Sequence, residues 1–159
     1  MKEYGELLAN DAEHREKAHD FAARVRDVSE FLADLPFEPP TGAVEAVVTY
    51  QDSCHLAHAQ HITQAPRAIL QAIPGIEIVE MARPDRCCGS AGVYSLTQPE
   101  MSLELLDGKM ADVRGTGATT VVTANPGCMS QIEAGARREG LSSRVVHVVE
   151  LLDRAYRAG

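Results

Sequence analysis

The fold of this 159-residue chain is decided by residues 44–81, which read VEAVVTYQDSCHLAHAQHITQAPRAILQAIPGIEIVEM. A β-rich run over residues 44–51 precedes a polar turn, and residues 66–72 suit a helix. A second strand is predicted over residues 76–81. A strand, a helix and another strand in this order predict two parallel strands that are joined by a right-handed crossover.

The alternation of strands and helices continues beyond this stretch. Thr97 and Glu100 form a capping-box pattern, which predicts that a helix begins there. The apolar face of this helix is predicted at Leu103, Leu106, Met110 and Val113. Further strands are predicted at residues 119–124 and 145–149, and further helices at 129–138 and 150–156. We therefore predict an α/β fold, in which helices flank a mostly parallel, four-stranded, Rossmann-like sheet.

Residues 1–40 are predicted to form an N-terminal helical segment and a linker. Apolar side chains recur at helical spacing on one face, at Phe21, Val25, Val28, Leu32 and Leu35. This face is either core or a surface for a partner. A run of prolines and a glycine then ends the helix, at Pro36, Pro39, Pro40 and Gly42. Residues 41–159 are therefore assigned to the domain that contains the sheet.

The composition excludes two classes of function. The formal net charge is −8, with 15 basic and 23 acidic residues, and the chain has no Trp, so we expect no nucleic-acid partner. No apolar run approaches the roughly 20 residues of a membrane-spanning helix. We expect a cytoplasmic protein without a transmembrane segment, which partners can hold at the inner membrane face. The chain also lacks a G-x-G-x-x-G or P-loop motif, so the α/β fold does not predict nucleotide binding.

The cysteines follow the predicted strands. Cys54 comes after the first strand, Cys87 and Cys88 after the second, and Cys128 after the third. The carboxyl ends of parallel strands meet at one edge of a sheet, where open α/β folds build their sites. Cysteines separated by 32 and 39 other residues are therefore expected to converge on one site.

Several kinds of chemistry are open to four such cysteines. Structural zinc sites draw on cysteine pairs with roughly two to four residues between the paired ligands, which this chain lacks, whereas an iron–sulfur cluster accepts ligands from several loops. A thiol redox pair is a further alternative, although no C-x-x-C is present. The cysteines could also be buried thiols that act as small apolar groups, or form disulfides, which the cytoplasm disfavours.

Residues beside the cysteines are further candidates for the site, and His55 and Arg86 have two interpretations each. His55 either contacts the ligands or is a solvated histidine, and Asp52 and Ser53 are expected to cap the helix that follows. Arg86 either offsets negative charge at the site or faces solvent. Gly89 lets backbone amides approach the sulfur atoms closely.

Three segments resemble the CCG, or cysteine-rich, domain: DSCHL at 52–56, RCCGSAG at 86–92 and NPGC at 125–128. This domain recurs in a subunit of heterodisulfide reductase and in iron–sulfur subunits of lactate-utilisation and glycolate-oxidising enzymes. LTQPEM at 96–101 and VELLDRAY at 149–156 are most similar to the C-terminal CCG domain of the glycolate oxidase iron–sulfur subunit. That family also has a ferredoxin-like part and a first CCG domain, so we expect a carboxy-terminal piece that is not catalytic alone.

The resemblance implies an electron relay. Partner flavoprotein subunits, which hold the FAD, would oxidise glycolate to glyoxylate and pass the electrons on towards the membrane quinone pool. Cys54, Cys87, Cys88 and Cys128 would bind the cluster. Asn125 stands where the full CCG pattern has another cysteine, which leaves ligands for a 4Fe–4S cluster, with a non-cubane variant as the alternative. The competing functions are a heterodisulfide-reductase-like or lactate-utilisation subunit, and a zinc-bound or metal-free scaffold.

Overall fold

A computed structural model describes residues 1–36 and 38–159. The chain forms two compact units, Met1–Leu35 and Pro36–Gly159. The first unit contains the helices α1 (Tyr4–Leu7), α2 (Arg15–Arg24) and α3 (Val28–Asp34). The predicted N-terminal helix is thus confirmed, but it is divided into short pieces.

The break before α3 has a local cause. Asp27 accepts a hydrogen bond from the backbone of Ser29 (2.8 Å), and Glu30 accepts one from the backbone of Asp27 (3.0 Å). This capping box starts a new helix, so the predicted continuous apolar face does not form. Phe21 and Val28 remain 44% and 42% exposed.

The second unit is built on a four-stranded sheet. Its strands are β1 (Ala46–Tyr50), β2 (Ile76–Ile78), β3 (Thr120–Thr123) and β4 (Arg144–His147). Their order is β2-β1-β3-β4, and every neighbouring pair is parallel. The predicted parallel α/β fold is therefore confirmed, and β1 and β3 occupy the centre of the sheet.

Helices connect and flank these strands. They are α4 (Cys54–Ala57), α5 (Gln64–Gln71), α6 (Tyr94–Thr97), α7 (Pro99–Thr116), α8 (Pro126–Arg138) and α9 (Val148–Ala158). The α5 helix packs against α9, and α7 packs against α8. The α7–α8 layer covers Val121 of β3 and forms a buried core with Leu106, Met110 and Ile132, into which Cys88 and Cys128 are packed.

The predicted capping box of α7 is wrong. Thr97 belongs to α6, where its hydroxyl donates to the carbonyl of Val93 (3.2 Å). Pro99 begins α7 instead, because its fixed φ suits the first helical position and it has no N–H to satisfy. The predicted apolar face is also displaced, since Leu103 is 46% exposed whereas Lys109 is completely buried.

The predicted fourth strand ends two residues early. His147 precedes α9 and accepts a hydrogen bond from the backbone of Val149 (3.3 Å), while Glu150 accepts one from the backbone of His147 (2.9 Å). This capping pair turns the chain from strand to helix at residue 148. Within residues 1–36 and 38–159, no helix is long and apolar enough to cross a membrane.

Candidate metal centre

One cavity at the carboxyl edge of the sheet is lined by all four cysteines. Cys54 begins α4 after β1, Cys87 and Cys88 lie in the loop after β2, and Cys128 lies in the first turn of α8 after β3. The cavity has a volume of about 380 Å³ and is also lined by His55, Ser90, Ala91, Gly92, Asn125 and Gly127. The structure thus brings together the cysteines that the sequence predicts as one site.

The thiols meet in two pairs. The pKa of Cys54 depends mainly on Cys87 among the other thiols, and the pKa values of Cys88 and Cys128 depend mainly on each other. The neighbouring thiol of Cys128 lowers the pKa of Cys88, whereas Cys88 and then burial raise the pKa of Cys128. Burial and then the neighbouring Cys87 raise the pKa of Cys54. Ionisation of one thiol in this group therefore disfavours ionisation of its neighbours, and a bound cation would relieve that repulsion.

Gly89 fixes the shape of the loop that carries the cysteine pair. Its φ is +86°, and its N–H donates to the sulfur of Cys87 (3.3 Å). A Cβ here would collide with the backbone oxygen of Ser102, whose hydroxyl donates to the Gly89 carbonyl (2.7 Å). Gln131 in turn donates to the Ser102 hydroxyl (3.1 Å). Only glycine fits this position, as expected for a backbone amide that approaches a sulfur ligand.

Asn125 caps a helix, whereas a cysteine at this position would supply a sulfur ligand. Its Oδ1 accepts the backbone N–H of Cys128 (3.0 Å), which satisfies an orphan donor of α8. Its Nδ2 lies 3.3 Å from Nδ1 of His55. Asn125 and His55 therefore link the turn of Cys54 to the turn of Cys128, and both line the cavity.

The ends of the two central strands are joined by buried polar side chains. The hydroxyls of Ser53 and Thr123 lie 3.1 Å apart, and the Thr123 hydroxyl donates to Oε1 of Gln51 (2.6 Å). The amide of Gln51 then donates to the carbonyl of Asp52 (2.7 Å). These bonds hold the turn before Cys54 against the end of β3.

The predicted capping by Asp52 and Ser53 is wrong, because both side chains have other partners. Neither side chain bonds the first turn of α4. Instead Arg67 donates to both carboxylate oxygens of Asp52, at 2.9 and 3.0 Å, and also binds Glu80. The Arg67 guanidinium lies 5.0 Å from the ring centre of Tyr50. The turn at Asp52 is thereby fixed to α5.

Two charged residues lie behind the cysteine pair. Arg86 is only 18% exposed and its Nε lies 3.3 Å from a carboxylate oxygen of Asp112, so it does not face solvent freely. The sequence pattern predicted no role for Lys109. Its Nζ donates to the carbonyls of Arg83 (3.0 Å) and Pro84 (3.1 Å), in the loop that carries the cysteine pair. Its spacing of three residues from Leu106 was the signal that could have identified it as inward-facing.

The donor set fits an iron–sulfur cluster. Four cysteine sulfurs from three loops surround one cavity, and a backbone N–H already donates to one of them. A single zinc ion needs its ligands around one point. Within the described residues, no three or more His, Cys, Asp or Glu side chains are grouped closely enough to hold a metal ion, so the cysteines would have to close around a zinc ion or a cluster alike.

The comparisons with known proteins give the class to which the chain belongs. The sequence profile of the cysteine-rich domain CCG matches residues 48–133, and the chain belongs to this family. It is 47% identical over 156 residues to the probable glycolate oxidase iron-sulfur subunit of Bacillus subtilis (strain 168). It is 33% identical over 154 residues to lactate utilization protein A of Oceanobacillus iheyensis. It is also 40% identical over 133 residues to a subunit of the fumarate reductase (CoM/CoB) of Methanothermobacter marburgensis.

These relatives are longer than the chain. The matches cover 96%, 96% and 83% of the chain, but 35%, 63% and 27% of the respective relatives. The chain is thus similar to one part of each relative.

Proposed function

We propose that this chain is the cluster-binding part of the iron–sulfur subunit of a glycolate oxidase. Cys54, Cys87, Cys88 and Cys128 would bind the cluster. The observation that carries the proposal is their convergence from three loops on one cavity. The similarity to a probable glycolate oxidase iron-sulfur subunit supports this substrate class.

The bound cluster would supply one-electron transfer, and the residues of the chain would hold it in place. Asn125 and Gly89 orient the turns that carry Cys128 and Cys87. The substrate itself would be oxidised at FAD on a partner flavoprotein subunit, because the sequence has no dinucleotide-binding motif. Electrons would then pass towards the membrane quinone pool, with the protein held at the membrane by its partners.

The ligand number favours a 4Fe–4S cluster over the non-cubane variant. The fifth cysteine of the full CCG pattern is replaced by Asn125, whose oxygen is already occupied as the cap of α8. Four thiolates suffice for a 4Fe–4S cluster. A zinc-bound scaffold is the competing candidate, and it differs by binding about one zinc and no sulfide.

The proposal is tested by the metal content of the anaerobically reconstituted protein. We expect about four irons and four sulfides per wild-type chain, with a broad absorbance near roughly 400 nm. Cys88→Ser should lose most of the iron, whereas Ser142→Ala, an exposed position in the loop before β4, should retain it. Wild-type protein that takes up zinc but no iron and sulfide would contradict the proposal.

The substrate is tested with partner flavoproteins. After mixing with glycolate oxidase flavoprotein subunits, we expect glycolate to bleach the cluster absorbance. Bleaching by lactate with lactate-utilisation partners, but not by glycolate, would instead favour the lactate alternative. A heterodisulfide-reductase-like role would require that the reduced cluster be reoxidised by a disulfide.

A further inference from the structure

Lys109 is a cation inside the α7–α8 layer. Its side chain is completely buried, and it is the only lysine in residues 36–159. Its Nζ donates to the carbonyls of Arg83 (3.0 Å) and Pro84 (3.1 Å), and it lies 3.7 Å from the sulfur of Met81. These contacts are all neutral acceptors, so they satisfy the hydrogen-bonding groups of the ammonium without neutralising its charge.

The carboxylates near Lys109 do not balance the positive charges there. Asp112 is buried on the next turn of α7, but it already lies 3.3 Å from Arg86 and 3.7 Å from Arg83. Asp85, in the same loop, is exposed to solvent. Arg83 and Arg86 therefore already share this buried carboxylate behind the loop of Cys87 and Cys88.

A buried cation is costly unless an anion compensates it. Burial lowers the pKa of Lys109, while Asp112 and, after it, Cys88, Asp85 and Cys128 raise it. Because Asp85 is exposed and Asp112 is paired with Arg86, the cysteine sulfurs are the buried groups beside this loop that would carry further negative charge once they bind a cluster. A thiolate-bound cluster would increase that negative charge, and would do so further when it accepts an electron.

We propose that Lys109 is a positioning residue for the cluster: it holds the loop of Cys87 and Cys88 through two backbone carbonyls, and its charge favours the reduced cluster. The inference rests on the proposed function. The reduction potential of a cluster depends on the net charge around it. A change in this potential on removal of the Lys109 charge would therefore distinguish the proposed role from a purely structural one.

The test is the midpoint potential of the reconstituted cluster, measured by a dye-mediated titration that is followed by EPR. Lys109→Met removes the charge but keeps a long apolar side chain, and Lys109→Arg keeps the charge. We expect Lys109→Met to favour the oxidised cluster about tenfold, a shift of about 59 mV to lower potential for one electron. Lys109→Arg should restore most of the wild-type potential.

Arg83→Met is the matched control for charge. Arg83 belongs to the same loop and its side chain is 64% exposed, so water and salt screen its charge. Its removal should move the potential much less than the removal of Lys109 does. An equal shift of the midpoint potential in Lys109→Met and Arg83→Met would overturn the inference. The exposed charge of Arg83 would then affect the cluster as much as the buried charge of Lys109.

The other outcomes separate the two proposals. If wild-type protein binds no cluster, the proposed function fails and the inference fails with it. If Lys109→Met binds a cluster with unchanged potential, only the inference fails. Should Lys109→Met not fold by circular dichroism, Lys109→Gln provides the neutral variant. Loss of the fold in both neutral variants would overturn the role of the charge and make Lys109 a structural residue.

Discussion

Gly89 and Asn125 are single residues on which the turns of the candidate site depend. The amide of Gly89 donates to the sulfur of Cys87 from a left-handed conformation, and the side chain of Asn125 caps the helix that presents Cys128. Each acts on a neighbouring cysteine through one hydrogen bond. Their contribution is therefore geometric, since neither would itself bind metal.

Gly89→Ala should destabilise the protein strongly. A Cβ at φ +86° meets the backbone oxygen of Ser102, which cannot move aside as a side chain can. We expect a loss of about 2–4 kcal/mol in the free energy of unfolding, from the left-handed conformation and the collision together, along with reduced iron uptake. Urea unfolding of the metal-free protein measures the first effect.

Gly92→Ala is the matched control for this change. Gly92 lines the same cavity and also has a positive φ (+59°), but a Cβ there meets nothing within 4 Å. Its cost should be only the conformational one, about 1 kcal/mol. Equal destabilisation by the two alanines would show that the contact with Ser102 is unimportant.

At the level of secondary-structure elements, the turn between β1 and α4 is held in place by an arginine of α5. Asp52 is 4% exposed, and its carboxylate is bound by two nitrogens of Arg67 from α5. Asp52→Ala leaves this largely buried guanidinium with Glu80, which is more exposed. We expect a loss of about 3 kcal/mol in the free energy of unfolding, measured by urea denaturation, as for other broken buried pairs.

An exposed ion pair provides the comparison. Asp153 and Arg157 form an i, i+4 pair on α9, where both side chains are more than half exposed. Asp153→Ala should change the free energy of unfolding by less than about 0.5 kcal/mol. If Asp52→Ala costs no more than Asp153→Ala, the bidentate pair does not stabilise the turn.

The strands and most helices could be predicted because their signals are local. Runs of β-branched residues predict β1 and β3. The carboxyl ends of parallel strands lie at one edge of the sheet, whatever the order of the strands. Several errors came from capping chemistry, and two of them concern where helices begin. The pair Asp27 and Glu30 breaks the N-terminal helix, and Pro99 begins α7 in place of the predicted cap.

The partners of charged side chains could not be predicted in the same way. Lys109 is buried because carbonyls of a loop about 25 residues earlier in the sequence accept its hydrogen bonds, as the contacts at 3.0 and 3.1 Å demonstrate. The apolar pattern of α7 contains no information about that loop. The convergence of the cysteines was predictable from topology, but the charges behind them depend on tertiary packing.

At the scale of the whole molecule, the parallel sheet brings cysteines that are distant in the sequence together in one site. Its order, β2-β1-β3-β4, places the three strands that precede the cysteines side by side. The loops that follow these strands contribute all four thiols to one cavity. The division of the chain into a segment at 1–40 and a domain at 41–159 stays a prediction.

Removal of the cluster should therefore loosen several loops at once. We expect the reconstituted protein to melt at least about 5 °C above the same protein after anaerobic chelation, which corresponds to roughly 1–2 kcal/mol for a chain of this size. Cys88→Ser, treated identically, should show little change on chelation. The same melting temperature in loaded and stripped wild-type protein would contradict a cluster that joins the three loops.

The burial of Lys109 also determines where reagents can attach to this protein. Lys2 and Lys17 are the other lysines, and both lie in the unit Met1–Leu35. Amine-directed dyes, biotin esters and surface couplings should consequently react with the lysines of that unit, while Lys109 stays shielded in the folded domain. Such tethering would immobilise the protein through Lys2 and Lys17 without modifying the loops that carry the cysteines.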